Sequence, residues 1–253
     1  LEVPRVTHRE NIFRLRPWGE TEDPVAIVAE LLGAARTAAI GNRTWAQFLV
    51  GLQRARPSTA FTTTSDIIGP LRRGPDPQEA AARRRAAGAV DRSAEELQAG
   101  RIPLVGRTES EVSAELGRRM LAEGHQRVNF AIVAAGENAA SPHHDPGERV
   151  IGVGEVVLCD FGGTMLADGG AGYCSDVTRC VVTGEPSAEM IEVYAVLHEA
   201  QAAAVSAGRI GVTAESIDAT ARDIITDAGY GERFMHRTGH GIGVEEHEDP
   251  YIV

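Results

Sequence analysis

The sequence predicts an α+β protein, and three observations lead there. The first is order: in the larger part of the chain two helices precede a strand and a strand pair, and two more helices precede a last glycine-rich strand. A doubly wound α/β chain would alternate strand and helix instead. The second is capping. Asp76-Pro77-Gln78-Glu79 and Thr108–Glu111 are capping boxes, the first with proline at the first helical position. The third is a pair of β-prone runs, Val156–Phe161 and Tyr173–Val182, joined by a glycine-rich stretch.

A small, partial α/β domain at residues 1–71 comes first. Pro24–Leu32 and Thr44–Arg54 read as short helices, with Thr44 as an N-cap. Ala38–Ile40 and Ala60–Thr62 read as strands, Gly69-Pro70 closes the piece, and Arg72–Pro75 is a linker. Residues 72–253 form the larger domain. Its first helix, rich in alanine and arginine, runs from Asp76 toward Gly100. Val112, Leu116 and Met120 recur every fourth residue, the mark of an amphipathic helix that ends at Gly124. Phe130–Ala135 is a strand, and the loop Gly136–Glu148 after it holds Pro142-His143-His144. Ser187–Ala207 is a helix stopped by Gly208. Thr213–Ala228 is another, with Ile217, Ala221, Ile224 and Ile225 on one face and Gly229 as its stop.

Composition narrows the function. A net charge of -11 argues against a nucleic-acid surface. The chain has no lysine, so its 25 basic residues are all arginine. Cys159, Cys174 and Cys180 are too few and too odd in number for a disulfide framework, and they read as small buried apolar residues. No long apolar run or signal peptide is present, so a cytoplasmic enzyme with no membrane partner is the expectation.

Two stretches concentrate the chemistry. Val156–Arg179 carries Asp160 and Asp176, and Met235–Tyr251 carries His236, His240 and His247 among glycines. Carboxylates on neighbouring strands with imidazoles from a third segment are the donor set of a hard-to-borderline cation. Alternation puts Leu158, Asp160 and Gly162 on one strand face, so if Leu158 faces the core, Asp160 does too. Arg179 is a local candidate to offset that buried charge. Asp160 alone reads as a capped or paired residue. Two buried carboxylates close together call for a proton or a cation between them. The DFGG tetrapeptide invites a kinase reading, but no HRD catalytic loop precedes it and no strand lysine exists. His236 and His240 stand at i, i+4, yet the residues between and after them suit a strand better than a zinc-binding helix. His198 reads as surface, and His8 and His125 carry no signal.

DFGG…GYCSDVTR followed by HRTGHGIGVEEHEDP resembles the pita-bread metallopeptidases that act on Xaa-Pro bonds, the prolidases and aminopeptidases P. The resemblance runs from Arg72 to Val253 and implies a pita-bread catalytic domain, preceded by the tail of the extra domain these enzymes carry. It implies Asp160, Asp176 and His240 as metal ligands, with Asp176 bridging two divalent ions, manganese by family expectation, with cobalt and zinc also compatible. It implies His143, His236 and His247 as substrate-handling catalytic residues, proline-containing di- or oligopeptides as substrates, and a homodimer.

Two departures from the family pattern stand out. Asp160 and Asp176 lie farther apart than is usual, because Thr164–Gly170 adds loop that must project. The family also completes its site with two glutamates on strands beyond the HEDP stretch, and this sequence stops at Val253, so a longer enzyme cut at both ends is the expectation. Glu245, Glu246 and Glu248 stand too near His240 to replace them. The rival expectations are a pita-bread binding module without catalysis and a metal-free creatinase-like hydrolase. The retained Asp160, Asp176 and His240 speak against both.

Overall fold

The computed structural model describes residues 14–167, 170 and 172–253. They fall into two compact units, divided between Leu71 and Arg72. In the first unit, helices α1 (Pro24–Leu32) and α2 (Ala46–Ala55) accompany the parallel pair β1 (Thr37–Ile40) and β2 (Ala60–Thr63). The α1 N-cap is Asp23, whose side chain accepts from the Val25 amide. Thr44 does not cap α2; Trp45 holds that position without a side-chain bond. The unit ends at Leu71, directly after Gly69-Pro70, but helix α3 (Ser65–Arg73) runs through both residues and takes in Arg72 and Arg73 of the expected linker. Pro70 falls near the middle of a helix of only nine residues, where few backbone bonds are lost.

The second unit is built on a four-stranded sheet. Strand β4 (Val156–Leu166) is its spine, with β3 (Arg127–Ala135) antiparallel on one side. The other side is shared by two short antiparallel strands, β5 (Gly172–Cys174) and β6 (Val177–Val182). The sequence suggested one continuous strand over 173–182. The structure breaks it at Ser175 and Asp176, because β5 pairs with the far end of β4 and β6 with the near end. Strand β4 also runs five residues past Phe161, to Leu166. The first three residues of the expected projecting loop, Thr164–Leu166, are therefore strand, and residues 168, 169 and 171 lie outside the described residues.

Helices α4 (Pro77–Gln98) and α5 (Glu109–Ala122) begin at the two capping boxes, both fully formed. They cover one face of the sheet. Val90, Leu97, Leu116 and Met120 from the helices meet Val133, Val157, Cys159 and Phe161 from the strands in one buried cluster. The core face of β4 is therefore 157/159/161, and Leu158 with Asp160 faces the other way. Sequence alternation had the pairing of residues right and the choice of face open. Helices α6 (Ala188–Ala207) and α7 (Ala214–Asp227) pack on each other through Ala200, Ala204, Ala221 and Ile225. The chain then passes into the antiparallel pair β7 (Gly239–Gly241) and β8 (Glu248–Ile252).

Candidate active site

Asp160 owes its place to β4 and to the register of β6. Asp160 lies directly opposite Thr178, and Cys159 opposite Arg179. Opposed residues in an antiparallel pair share a face. Thr178 therefore reaches Asp160, and its hydroxyl donates to Oδ1 at 2.9 Å. Arg179 points to the helix side, 3.8 Å from Asp91 of α4. It is not the counter-ion that the sequence suggested for Asp160.

Asp176 sits in the gap between β5 and β6, and the glycines explain how it gets there. A Cβ on Gly162 would collide with the Ser175 carbonyl oxygen, so only glycine lets the crossing chain lie this close to β4. The Ser175 hydroxyl is hydrogen-bonded to His125 Nε2 at 2.8 Å and lies 3.3 Å from the Gly163 amide nitrogen. His125 Nδ1 faces the Met120 carbonyl at 3.1 Å, so Nδ1 carries the proton and Nε2 accepts from the serine. Burial pushes His125 below the usual imidazole range, in keeping with a neutral ring. His125 carried no pattern in the sequence; only the fold brings it behind the residue preceding Asp176.

The two carboxyl groups meet. Burial first, and then the charge of Asp176, pushes Asp160 up to about 6. Asp176 is also raised, chiefly by burial, against the pull of His240. Two buried carboxyls this close call for a proton or a cation between them.

The imidazoles come from the C-terminal segment. His240 Nδ1 faces the Gly241 carbonyl at 3.0 Å, which assigns its proton there and leaves the Nε2 lone pair free. That Nε2 stands 3.5 Å from Asp176 Oδ2. Two acceptors facing each other across such a gap, beside a second carboxyl, suit a cation better than a hydrogen bond. Among the described residues no group of three or more His, Cys, Asp or Glu side chains closes around an ion position by itself. The donor pairs fit a divalent cation; the enclosing shell is not complete.

The remaining histidines divide. The rings of His247 and His240 are 4.2 Å apart, and burial followed by the charge of His240 lowers the pKa of His247. His143 is exposed and lies within electrostatic reach of both Asp160 and His247. His144, next to it, turns inward to Glu109 at 2.8 Å. His236 is exposed; its ring tilts against Phe234 at 5.4 Å and its Nδ1 faces the Arg237 carbonyl at 2.8 Å. The structure thus brings together Asp160, Asp176, His240, His247 and His143, and its contacts for His236 lie elsewhere.

The segment carrying His236 and His240 is held by a polar clamp on α7. Asp218, 6% exposed, accepts from the Thr238 amide at 3.0 Å and hydroxyl at 2.6 Å, and from Arg222 Nε at 2.8 Å. Arg222 donates onward to the carbonyls of Phe234 and His236. These contacts hold Asp218 below the usual carboxylate range, the Arg222 bond first. Farther on, Arg72 pairs with both Glu245 and Glu248, which places those glutamates at a salt bridge.

An antiparallel sheet backed by two helices, with facing carboxylates on its open side and histidines brought over them, defines the pita-bread class of hydrolase fold. The model of metallopeptidase family M24 matches residues 80–253, and the chain belongs to that family. It is 40% identical over 242 residues to the probable dipeptidase PepE of Mycobacterium tuberculosis, which covers 95% of this chain and 63% of the relative. It is 47% identical over 150 residues to the Xaa-Pro dipeptidase of Lactobacillus delbrueckii subsp. lactis, covering 58% of this chain and 39% of that one. Among solved structures, the prolidase of Thermococcus sibiricus superposes with a TM-score of 0.86 at 38% identity, over 93% of this chain and 64% of the other. The chain thus spans 63% of the length of the PepE relative it matches.

Proposed function

We propose that the chain carries the metal-binding core of an Xaa-Pro peptidase that hydrolyses the peptide bond preceding proline. The observation that supports this most is the facing pair of His240 Nε2 and Asp176 Oδ2 beside the Asp160–Asp176 carboxyl pair. In this reading Asp160, Asp176 and His240 would hold the divalent cations, Asp176 as the ligand common to the set. Manganese suits the oxygen-rich set with one imidazole, and cobalt or zinc would also fit. Such ions, when bound, supply a Lewis acid for the peptide carbonyl and lower the pKa of water.

The chain's own groups do the rest. Thr178 fixes the orientation of Asp160, and the Gly241 carbonyl fixes the His240 tautomer. His143 and His247, on opposite sides of the carboxyl pair in the sequence, steady the carbonyl and the charge that develops on it. His236 stays exposed on the clamped segment, outside the group around Asp160 and Asp176, and its part in this reading is to meet a portion of the substrate beyond the carboxyl pair. A proline nitrogen in the scissile bond has no hydrogen to donate, so selection falls on ring shape.

Two carboxylates and one imidazole are few ligands for two cations. Affinity follows ligand count, so the 253 residues by themselves bind metal weakly and turn over slowly. The test is hydrolysis of Xaa-Pro dipeptides against the same dipeptides with alanine in place of proline, with added manganese. Preference for proline that disappears in Asp176→Ala supports the proposal. Equal turnover of both substrates, or activity indifferent to Asp176, contradicts it.

A further inference from the structure

Two adjacent histidines, His143 and His144, sit in one loop, His143 within electrostatic reach of Asp160 and His144 bonded to Glu109, and the structure gives them different work. We propose that Glu109 and His144 are positioning residues: a buried latch that sets the loop of residues 136–148 and thereby the place of His143. This deepens the proposed function and rests on its assignment of His143 to the substrate.

Glu109 opens helix α5 and is fully buried, at 0% exposure. A carboxylate so placed must have every oxygen met by donors. Oε1 accepts from the Ala135 amide at 2.8 Å and from Asn138 Nδ2 at 2.9 Å. Oε2 accepts from His144 Nε2 at 2.8 Å, with the Gly147 amide at 3.4 Å. These donors come from the end of β3, the 3-10 turn Gly136–Ala140 and the far limb of the loop. The Glu109 and Ser110 amides donate back to the Arg149 and Gly147 carbonyls at 3.0 Å each. One helix start therefore grips both limbs of the loop. Between the two grips, His143 is left exposed and within reach of Asp160. His144 cannot face the substrate while it spans the loop to Glu109. The division of labour between the neighbours follows from which of them the buried carboxylate takes.

The latch is tested by amide hydrogen exchange and by NMR of the His143 ring in His144→Ala, His144→Gln and His143→Ala. Loss of one charge-assisted bond should speed exchange at residues 136–148 by about tenfold and shift the His143 signals. A glutamine, whose amide can donate to the same oxygen, should restore both. His143→Ala should leave exchange unchanged. In peptide hydrolysis, His144→Ala should lower kcat/KM in the parent chain and add nothing in the His143→Ala background, because it acts through His143. Should His144→Ala fail to fold, Asn138→Ala removes another donor to the same carboxylate and carries the same comparison. Loop exchange and His143 signals that stay as in the parent would overturn the latch. A loosened loop with hydrolysis indifferent to His143→Ala would keep the latch and refute the role given to His143.

Discussion

The carboxylate half and the imidazole half of the site are held in place by different physics. Asp160 rides on an eleven-residue strand bonded on both sides and backed by residues with no exposure, among them Val157, Cys159 and Phe161. His240 rides on a three-residue strand, and its approach is fixed by the Asp218–Arg222 clamp and by Arg72. Apolar burial is insensitive to pH and tolerant of small shifts; charged hydrogen bonds are neither. The imidazole half is therefore the part of the site that should loosen first on acidification or loss of a polar group.

The largest effect should come from the apolar side. Phe161→Ala empties the middle of the core and should cost about 3–5 kcal/mol in urea unfolding. If it costs no more than a surface change, the helix-backed sheet is not what carries the carboxylates. Next comes Asp218→Ala. It leaves the Thr238 amide without its acceptor and takes one partner from Arg222, which keeps the Phe234 and His236 carbonyls, and should cost about 2 kcal/mol, discounted because Arg222 is partly exposed. Hydrogen exchange should rise at residues 234–240 and stay unchanged in β4, and an equal rise in both would erase the contrast.

Acid should separate the halves by sign. In the metal-free protein Asp160 takes its proton near about 6, against 3.8 when unfolded, so the native state gains stability as pH falls through that window. Asp218 is held below 3.8, so its contribution is present above that value and is lost as pH falls beneath it. Thermal midpoints should rise and then fall on acidification, with the rise smaller in Asp160→Asn, where only Asp176 is left to supply it, and the fall shallower in Asp218→Asn. The smallest effect is that of Cys159→Ala. The thiol faces the helices, and burial pushes it up to about 12, so it is neither ligand nor nucleophile. Its loss should cost about 1 kcal/mol and leave manganese affinity unchanged.

How much of this could be read beforehand follows the same division. Helix starts were legible because capping boxes are local, and α4 and α5 begin where Asp76 and Thr108 place them. Asp160, Asp176 and His240 stood out because their glycine-rich settings make a joint pattern. The break between β5 and β6 was not legible, since it depends on where each half pairs along β4. Nor was the face of Asp160, because apolar residues lie on both sides of that strand. His125, Glu109 and Asp218 looked like ordinary helix or loop residues. Their partners Ser175, His144 and Thr238 are distant in sequence, and only the folded chain supplies them.

The central claim is that Asp160, Asp176 and His240 together would hold the divalent cations, with Asp176 at the centre of the set. Manganese titration followed by NMR tests it directly, since the ion broadens the signals of nearby protons. The ring signals of His240 and His247 should broaden before any others, and Asp176→Asn should weaken that response by more than about 100-fold, beyond the loss an outer partner causes. Broadening that begins elsewhere, or that persists unchanged in Asp176→Asn, would contradict the account.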